Sequence, residues 1–390
     1  MRIQRVITTL LAMTVLAGCT SAPEGGDPAD IRVGDWVMAL VVSPQSGDLS
    51  NGADTGYLLL ADETGRTTTI ATSGMDMGGV IWRDGRIFFN DTESDYVLAD
   101  ELTDLPRDSR QEYQQGMFEV AAGFVSVYNV GFDDTGYRHL VVAGDASGTE
   151  QWTTEGMYRA LGNCGDEVFG ISEATGKYVA SENDPKPEVL TRLYPPVDGA
   201  EKVVTVTEGP IATVEAWSLN APCSEGSIFF VSQELADVDA AAEDGRPILE
   251  RWDTATGEYR AIPLTDSAGE ELSLSPTSVL MSHFDQSSIQ DGIFHWIADD
   301  KVLATDVSTG ITEELLTVDL TSPGNGLSRF RFADGELHVL DIGDLSGESA
   351  SLTRYDLATG DQKVRIELDL TGVMGSSLIP RGLAINPDWA

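Results

Sequence analysis

A short turn motif, Asp-x-x-Thr-Gly, recurs in this sequence between runs of β-forming residues. It occupies residues 253–257, 306–310 and 356–360, and degenerate copies occur at 62–65 and 145–148. The Asp can accept hydrogen bonds from backbone N–H groups ahead of it, and the Gly can take the positive φ that closes the turn. A turn of one kind at a spacing of roughly 50 residues indicates a chain built from repeated β-sheets.

A second hairpin pattern precedes these turns. Residues 80–89 and 330–339 each place an Asp-Gly pair between alternating apolar runs, which is a strong short-range signal for a two-residue β-hairpin. The repeating unit therefore has four strands, A to D. We expect Asp-Gly in the A–B turn and Asp-x-x-Thr-Gly in the C–D turn.

Six such units fit within the chain, over residues 76–110, 116–155, 157–195, 209–265, 276–320 and 326–372. Residues 32–72 supply three further strands, and residues 382–385 supply one. Together these four strands make a seventh unit that is closed by both ends of the chain. The sequence thus predicts an all-β protein with one domain at residues 32–390, a seven-bladed β-propeller. Propellers of six or eight blades and a two-domain β-sandwich protein are the alternatives.

The first residues have the pattern of a targeting signal. Arg2 and Arg5 precede a short apolar stretch, and Leu16-Ala17-Gly18 precede Cys19. This order resembles the bacterial lipobox. The resemblance implies that residues 1–18 are removed as a signal peptide and that Cys19 carries lipid, including an acyl chain such as palmitate. Residues 19–31 would then be a flexible tether.

We therefore expect an exported protein that is held by acylated Cys19 on the outer side of a bacterial membrane, as part of the cell envelope. The sequence leaves open which membrane holds it. An ordinary secretory signal with a chance Cys is the alternative.

Two cysteines, Cys164 and Cys223, remain after Cys19. An even number in an oxidising compartment favours a disulfide bond. Both residues fall in A–B turns of successive predicted blades, so they lie on the same rim, where a modest shift could bring them within bonding distance. Two buried free thiols are the alternative.

The run from Ala143 to Trp152 resembles the quinoprotein-type propeller repeat, whose consensus reads Ala-x-Asp-Ala-x-Thr-Gly-x-x-x-Trp. Residues 252–257 and 355–360 match the core of that repeat. The resemblance implies either a quinone-dependent dehydrogenase or a non-enzymatic binding lipoprotein, such as the propeller subunit of the outer-membrane barrel assembly machinery. The dehydrogenases need a Ca²⁺ site and a stacking Trp, and neither motif can be located in this sequence.

Acidic residues number 64 against 24 basic ones, which excludes a surface built to neutralise nucleic-acid phosphates. The predicted B–C loops are rich in acids and contain neither Lys nor Arg. We interpret them as one acidic face, which is a well-solvated surface, a site for a cationic protein or peptide, or a Ca²⁺ site. The candidate residues of this face are Asp91, Glu93, Asp95, Asp133, Asp134, Asp237, Asp239, Asp299, Asp300, Asp341 and Asp344.

Signatures of catalysis are sparse. The four His residues occur singly in β-type runs, and no nucleophile elbow, Walker loop or dinucleotide fingerprint is present. The sequence therefore predicts a monomeric protein- or ligand-binding or scaffolding lipoprotein with no cofactor other than a possible Ca²⁺ ion. The alternative is an extracytoplasmic enzyme, either a glycan hydrolase or lyase or a quinoprotein-like oxidoreductase.

Overall fold

The computed structural model describes residues 26–134, 136–173, 187–197, 200–207, 213–215, 220–235, 245–323, 326–375 and 377–389. The predicted signal peptide, the lipidation site Cys19, and the candidate acids Asp237 and Asp239 lie outside these residues. Within them the chain forms seven antiparallel sheets arranged as seven blades, which confirms the predicted β-propeller.

The blades follow one another along the chain. Blade 1 contains β1 (Met38–Ser43), β2 (Gly56–Ala61) and β3 (Thr67–Thr72). Blade 2 contains β4 (Val80–Arg83), β5 (Arg86–Asn90), β6 (Ser94–Leu98) and β7 (Leu102–Pro106). Blade 3 contains β8 (Gln114–Val120), β9 (Gly123–Asp133), β10 (Gly136–Asp145) and β11 (Gly148–Glu155). Blade 4 contains β12 (Tyr158–Cys164), β13 (Glu167–Glu173), β14 (Glu188–Val197) and β15 (Ala200–Thr207).

The short strand β17 (Asn220–Ala221) joins the sheet of blade 4, where it pairs parallel with β12. Blade 5 contains β16 (Thr213–Glu215), β18 (Cys223–Ser224), β19 (Ser227–Glu234), β20 (Arg246–Asp253) and β21 (Tyr259–Pro263). Blade 6 contains β22 (Ile289–Gln290), β23 (Ile293–Ala298), β24 (Lys301–Asp306) and β25 (Thr312–Thr317). Blade 7 contains β26 (Arg329–Ala333), β27 (Glu336–Ile342), β28 (Ala350–Asp356) and β29 (Gln362–Leu368). The final strand, β30 (Ile379–Ile385), returns to blade 1.

Blade 1 joins the two ends of the chain, as the sequence predicted. Strand β30 pairs antiparallel with β1, so that blade 1 has the order β3-β2-β1-β30. The first strands of successive blades neighbour one another, with β30 beside β26 and β4, and β8 beside β4 and β12. These first strands therefore line the central axis. This closure leaves few unpaired strand edges, which suits an all-β chain.

Helices are few within the described part of the chain. They comprise α1 (Ser46–Leu49), α2 (Pro276–Leu280) and two 3-10 turns, Pro28–Asp30 and Val33–Asp35. None of these helices has the length and apolar character that a membrane-spanning helix requires.

The hydrophobic core lies between adjacent blades. All six residues of β1 are buried, which explains why its sequence is a continuous apolar run rather than an alternating one. Between blades 3 and 4, Phe118 and Val127 belong to the same buried cluster as Leu161 and Val168. Packing on both faces of each sheet thus binds the blades to one another.

The Asp-Gly pairs form the predicted A–B turns. Asp84 and Gly85 have φ values of 49° and 68°, and Asp334 and Gly335 have 48° and 78°. Two successive residues with positive φ make a type I′ turn, whose twist matches that of the flanking strands.

The predicted disulfide joins blades 4 and 5. Cys164 ends β12 and Cys223 begins β18, their Cα atoms are 5.2 Å apart, and their sulfurs are bonded. The pairing of β12 with β17 brings the two turns together. The disulfide indicates an oxidising, extracytoplasmic compartment.

Two segments differ in extent from the sequence-based assignment. The unit predicted at residues 157–195 is blade 4, whose outer strand, β15, ends at Thr207. The connection between β13 and β14 is long and displaces the last two strands along the chain. Residues 26–31, within the predicted tether, lie beside blade 1, where Gly26 N donates to Thr69 O and Ile31 is buried.

Candidate ligand-binding cavity

A cavity of about 1120 Å³ occupies one end of the central channel. Its walls come from the first residues of β30, β4, β8 and β26 and from the loops that lead into them. Part of its rim is the β27–β28 loop. The cavity thus opens on the side that carries the B–C and D–A connections, here called the loop side. The A–B and C–D turns form the opposite side, here called the turn side.

A second cavity of about 450 Å³ lies toward the turn side of the channel. It is lined by residues that include Trp82, His338 and Trp389. Glu119 and Arg331 line both cavities, so they lie where the two parts of the channel meet.

An ion pair from distant parts of the chain lies at one wall of the larger cavity, which its arginine lines. Arg381 Nη2 lies 2.6 Å from Asp76 Oδ1, and both side chains are about nine-tenths buried. Asp76 Oδ2 also accepts a hydrogen bond from Ser46 N at 2.7 Å. The carboxylate of Asp76 is therefore fully engaged by blade 1.

A second acidic residue of the cavity is engaged in a similar way. Asp285 Oδ2 accepts from Phe332 N at 2.8 Å, and Asp285 Oδ1 accepts from Ser287 N at 2.7 Å. Arg331 Nη1 lies 3.5 Å from Asp285 Oδ2. This carboxylate joins the loop before β22 to β26.

Arg329 makes a different set of contacts. Its Nε donates to Arg381 O at 2.8 Å, and its Nη1 donates to Gly326 O at 2.8 Å and to Ser328 O at 2.7 Å. Its Nη2 donates to Pro380 O. All of these acceptors are backbone carbonyls.

His283 lies in the cavity wall, with its ring centre 4.9 Å from that of Phe330. Burial, together with the nearby Arg329, lowers the pKa of His283 to about 4. The imidazole is therefore neutral at pH 7, and it can offer one donor and one acceptor to a ligand.

The structure divides the predicted acidic face into two groups. Asp91, Asp95 and Asp341 are buried and have structural partners. Asp95 pairs with Arg107 at 3.1 Å, and both side chains have zero exposure. Asp91 Oδ2 accepts from Ser73 N at 2.9 Å.

Asp341 is held in the same manner, since its Oδ2 accepts from Thr321 N at 2.9 Å. The turns are tighter than predicted, so the strands extend into the predicted loops. Asp95, Asp133 and Asp341 therefore belong to strands rather than to loops.

The remaining described acids of that face are accessible. Asp300 is half-buried, and the exposed members are Glu93, Asp133, Asp134, Asp299 and Asp344. Of the candidate acids that the structure describes, only Asp344 lines the larger cavity. Among the described residues, no three His, Cys, Asp or Glu side chains are grouped so that they could hold a metal ion.

The sequence-based prediction missed the arginines of the cavity. Arg329 and Arg331 alternate with Phe330 and Phe332 in β26. A two-residue period on a first strand places both arginines on one face of the sheet, and charged residues there were the available signal. Their approach to Arg381 could not be read from the sequence, because β30 joins β26 only through propeller closure.

Comparison with known proteins gives distant structural neighbours. No curated protein matches the sequence. Among solved structures, AztD from Citrobacter koseri is similar, with 12% identity, a TM-score of 0.43, and coverage of 90% of this chain and 98% of AztD. TolB from Acinetobacter baumannii has 14% identity and a TM-score of 0.43, with coverage of 90% of this chain and 67% of TolB. At such identities the likeness concerns the fold alone.

The family match is more extensive than the resemblance of single turns to a quinoprotein-type repeat, which stays a prediction. The sequence profile of the β-propeller domain of YycP spans residues 35–377 and thus all seven blades except the last strand. The chain belongs to the YycP β-propeller domain family.

Proposed function

We propose that this protein is a lipid-anchored, extracytoplasmic binding propeller whose ligand site is the larger cavity of its central channel. The observation that carries this proposal is the cavity itself. Its volume of about 1120 Å³ is slightly larger than the roughly 300–1,000 Å³ of typical small-molecule sites. Its wall combines apolar side chains with a few convergent polar groups, which is the composition of a ligand site.

The engagement of the cavity carboxylates favours binding over hydrolysis. A glycosidase of the usual kind needs two carboxyl groups that are free to serve as acid and base or nucleophile. Asp285 and, beside the cavity, Asp76 are instead held by arginines and backbone N–H groups. Asp344 Oδ1 accepts a hydrogen bond from Ser346 N at 2.7 Å. Glu119 lies 3.2 Å from Arg83 Nη1.

The lipid anchor is supported by the lipobox at Cys19 and by the disulfide Cys164–Cys223, which requires an oxidising compartment. The test is metabolic labelling of the full chain with radioactive palmitate in a bacterial host. We expect label in the wild-type protein and none in Cys19→Ser. Equal labelling of the two proteins would disprove the anchor at Cys19.

The ligand site is tested with the full chain carrying Cys19→Ser, which removes the lipid. This protein is mixed with small molecules extracted from the envelope of its host and recovered by ultrafiltration, and the retained compounds are identified by mass spectrometry. Leu345→Trp narrows the cavity from its rim, where Leu345 is 38% exposed. The matched control is Ile311→Trp, at a turn-side residue that is 42% exposed.

We expect a compound that is retained by the Cys19→Ser protein and by the Ile311→Trp control but lost from Leu345→Trp. Retention that is unchanged by Leu345→Trp would place the ligand outside the cavity. Conversion of an extracted compound to a product would favour the enzymatic alternative.

A second candidate function is capture of a cationic protein or peptide on the loop side. The observation that favours it is the tip of the β9–β10 hairpin, where Phe132 is 79% exposed next to exposed Asp133 and Asp134. Affinity capture from membranes should then retain a basic partner, and a triple variant with Phe132→Ser, Asp133→Asn and Asp134→Asn should release it. Equal capture by both proteins would exclude this surface.

A further inference from the structure

Arg329 differs from the other cations of the larger cavity in its partners. All four groups that accept hydrogen bonds from its guanidinium are backbone carbonyl oxygens, and no carboxylate among the described residues forms a salt bridge with it. Carbonyl dipoles orient a guanidinium but do not neutralise its charge. The other two arginines of the cavity, Arg331 and Arg381, each have a carboxylate partner.

A second positive charge, that of Arg381, lies close to Arg329. Burial, and then the charge of the nearby Arg381, lower the pKa of Arg329 to about 9. At neutral pH both guanidinium groups are therefore charged, and only Arg381 is paired with a carboxylate, that of Asp76. This wall of the cavity thus carries a net positive charge, although the whole chain carries a formal charge of −40.

Arg381 also retains donor capacity. Its Nε is buried and has no hydrogen-bond partner. Its Nη1 has only a weak contact, 3.9 Å from Met77 Sδ. A buried charged donor without an acceptor is unfavourable, and an anionic oxygen would satisfy it.

Another part of the cavity wall is apolar and adaptable. Three of the nine methionines, Met77, Met117 and Met281, line it together with Phe330 and Leu345. Methionine side chains are flexible and fit apolar groups of varied shape. Met77 is 38% exposed and has a φ of 56°, a conformation that residues with a large side chain rarely adopt outside functional sites.

We propose that the cavity binds a small amphiphilic anion, whose charged group lies against Arg329 and Arg381 and whose apolar part lies against the methionine wall. This inference rests on the proposed function, because it assumes that the cavity is the ligand site. It specifies that the ligand is negatively charged, whereas a partner of the acidic face would be positively charged.

The test uses three probes with the same eight-carbon chain, namely octanoate, octanol and octylammonium. Their binding to the full chain carrying Cys19→Ser is measured by calorimetry at low ionic strength. We expect octanoate to bind at least about tenfold more tightly than octanol, because a charge-assisted hydrogen bond contributes roughly a tenfold gain or more. Octylammonium should bind most weakly.

Two sets of variants locate the charge that is responsible. Arg329→Gln should weaken octanoate binding by about tenfold or more, whereas Arg329→Lys should keep much of it. The matched control is Arg260→Gln, which removes a charge from an exposed part of β21 and should leave binding unchanged. A thermal unfolding curve of each variant verifies that it is folded.

Leu345 provides a test that does not disturb the interior. This rim residue is 38% exposed, so a charge there is compatible with folding. Leu345→Glu should weaken octanoate binding by about threefold and Leu345→Lys should strengthen it by about as much, as expected for a partly screened charge. For octylammonium the two effects should be reversed.

The outcomes separate this inference from the proposed function. Equal affinities for octanoate and octanol, or a preference for octylammonium, would overturn the anionic assignment and leave the cavity as a ligand site. Octanoate binding that is insensitive to both Arg329→Gln and Leu345→Glu would also overturn it. If none of the three probes binds, both the inference and the cavity as an amphiphile site fail.

Discussion

The two sides of the propeller are stabilised by interactions of different range. On the turn side, Asp306 Oδ1 accepts from Ser308 N at 2.8 Å and from Thr309 N at 3.0 Å, so the whole contact lies within one turn. On the loop side, Arg381 pairs with Asp76, although the two come from opposite ends of the chain. The turn side is therefore local in origin, and the loop side exists only in the closed ring.

The carboxylates on the two sides also differ in their environment. The turn-side Asp253 and Asp306 are only partly buried, and hydrogen bonds from Thr256 and Ser308, respectively, lower their pKa values. The loop-side Asp91, Asp95 and Asp341 are buried. Loss of a partner should therefore cost little stability on the turn side and much on the loop side.

The largest effect is expected for Arg107→Gln on the loop side. This substitution leaves Asp95 buried without its cation, and removal of one partner from such a pair costs roughly 4 to 5 kcal/mol. Urea unfolding at pH 7 measures the loss. The control is Glu93→Gln, at an exposed acid of the same loop, which should change stability by less than about 0.5 kcal/mol. Similar losses for both variants would mean that the pair does not stabilise this side.

The next effect tests the covalent link on the turn side. Cys223→Ser removes the disulfide between blades 4 and 5 and should lower the free energy of unfolding by about 3 kcal/mol. Urea unfolding under oxidising conditions measures this difference. In the presence of a reductant the wild-type and variant curves should converge. A difference that persists after reduction would point to packing rather than to the crosslink.

A smaller loss of stability is expected when the glycine of an Asp-x-x-Thr-Gly turn is replaced, and its size should differ between two copies of the turn. Gly310 and Gly360 have φ values of 76° and 74°, so both prefer glycine for the same conformational reason. A Cβ at Gly310 would lie 2.2 Å from Pro263 O of the preceding blade, whereas the nearest atom at Gly360 is 3.7 Å away.

Gly360→Ala should therefore cost about 1 kcal/mol, which is the penalty of the left-handed conformation alone. Gly310→Ala should cost about 2 to 3 kcal/mol, because the turn must also move away from the neighbouring blade. Thermal unfolding compares the two variants. Equal losses would show that the turn does not depend on contact with the preceding blade.

Acid should affect the buried histidine on the loop side before the turn-side aspartates. His139 has zero exposure, and burial lowers its pKa to about 4 from an ordinary value of 6.5. Because the unfolded chain binds the proton more readily, stability is complete above pH 6.5 and declines as the pH falls toward 4. The turn-side Asp253 and Asp306 should lose their contribution only below about pH 3.8, their ordinary pKa.

His139→Phe removes this titration while it keeps an aromatic ring between Tyr137 and Tyr158. We expect the variant to lose about 2 kcal/mol less stability than the wild type between pH 7 and pH 5. Urea midpoints recorded as a function of pH provide the measurement. Parallel pH profiles for the two proteins would contradict the assignment.

The smallest effect concerns a single turn-side carboxylate. Asp306→Ala removes the acceptor of two backbone N–H groups at an exposed site, and should cost about 1 kcal/mol. Asp306→Asn keeps one acceptor oxygen and should cost less than about 0.5 kcal/mol. Thermal unfolding ranks the two variants, and an equal cost would show that the carboxylate charge matters more than its geometry.

Most of the fold could be predicted from the sequence, because the residues of each turn determine its local conformation. The Asp-Gly pairs at 84–85 and 334–335 form the predicted I′ turns, and residues 382–385 complete blade 1. The limits of blade 4 were harder to predict, because Ala-Thr-Gly at residues 174–176 of its long B–C connection repeats the end of the turn motif without its Asp.

The candidate site was less predictable. The acids of the B–C loops were identified by composition, yet Asp95 and Asp341 turned out to be buried partners of other groups. The cavity arginines were not selected, because the alternation of Arg329 and Arg331 in β26 shows only that they share a face, and their approach to Arg381 depends on closure of the ring. Gln114 and Asn220 of the cavity wall were missed for the same reason.

The sequence by itself determined the repeating sheet, the turn chemistry, the closure of blade 1 by both chain ends and the pairing of Cys164 with Cys223. Each of these depends on residues whose effect is local or repeats at a fixed spacing. Only the tertiary structure decided which charges are buried, which are paired, and that Arg329 and Arg381 meet in one cavity. These properties depend on distances between strands far apart in the chain, and such distances are set when the ring of blades closes.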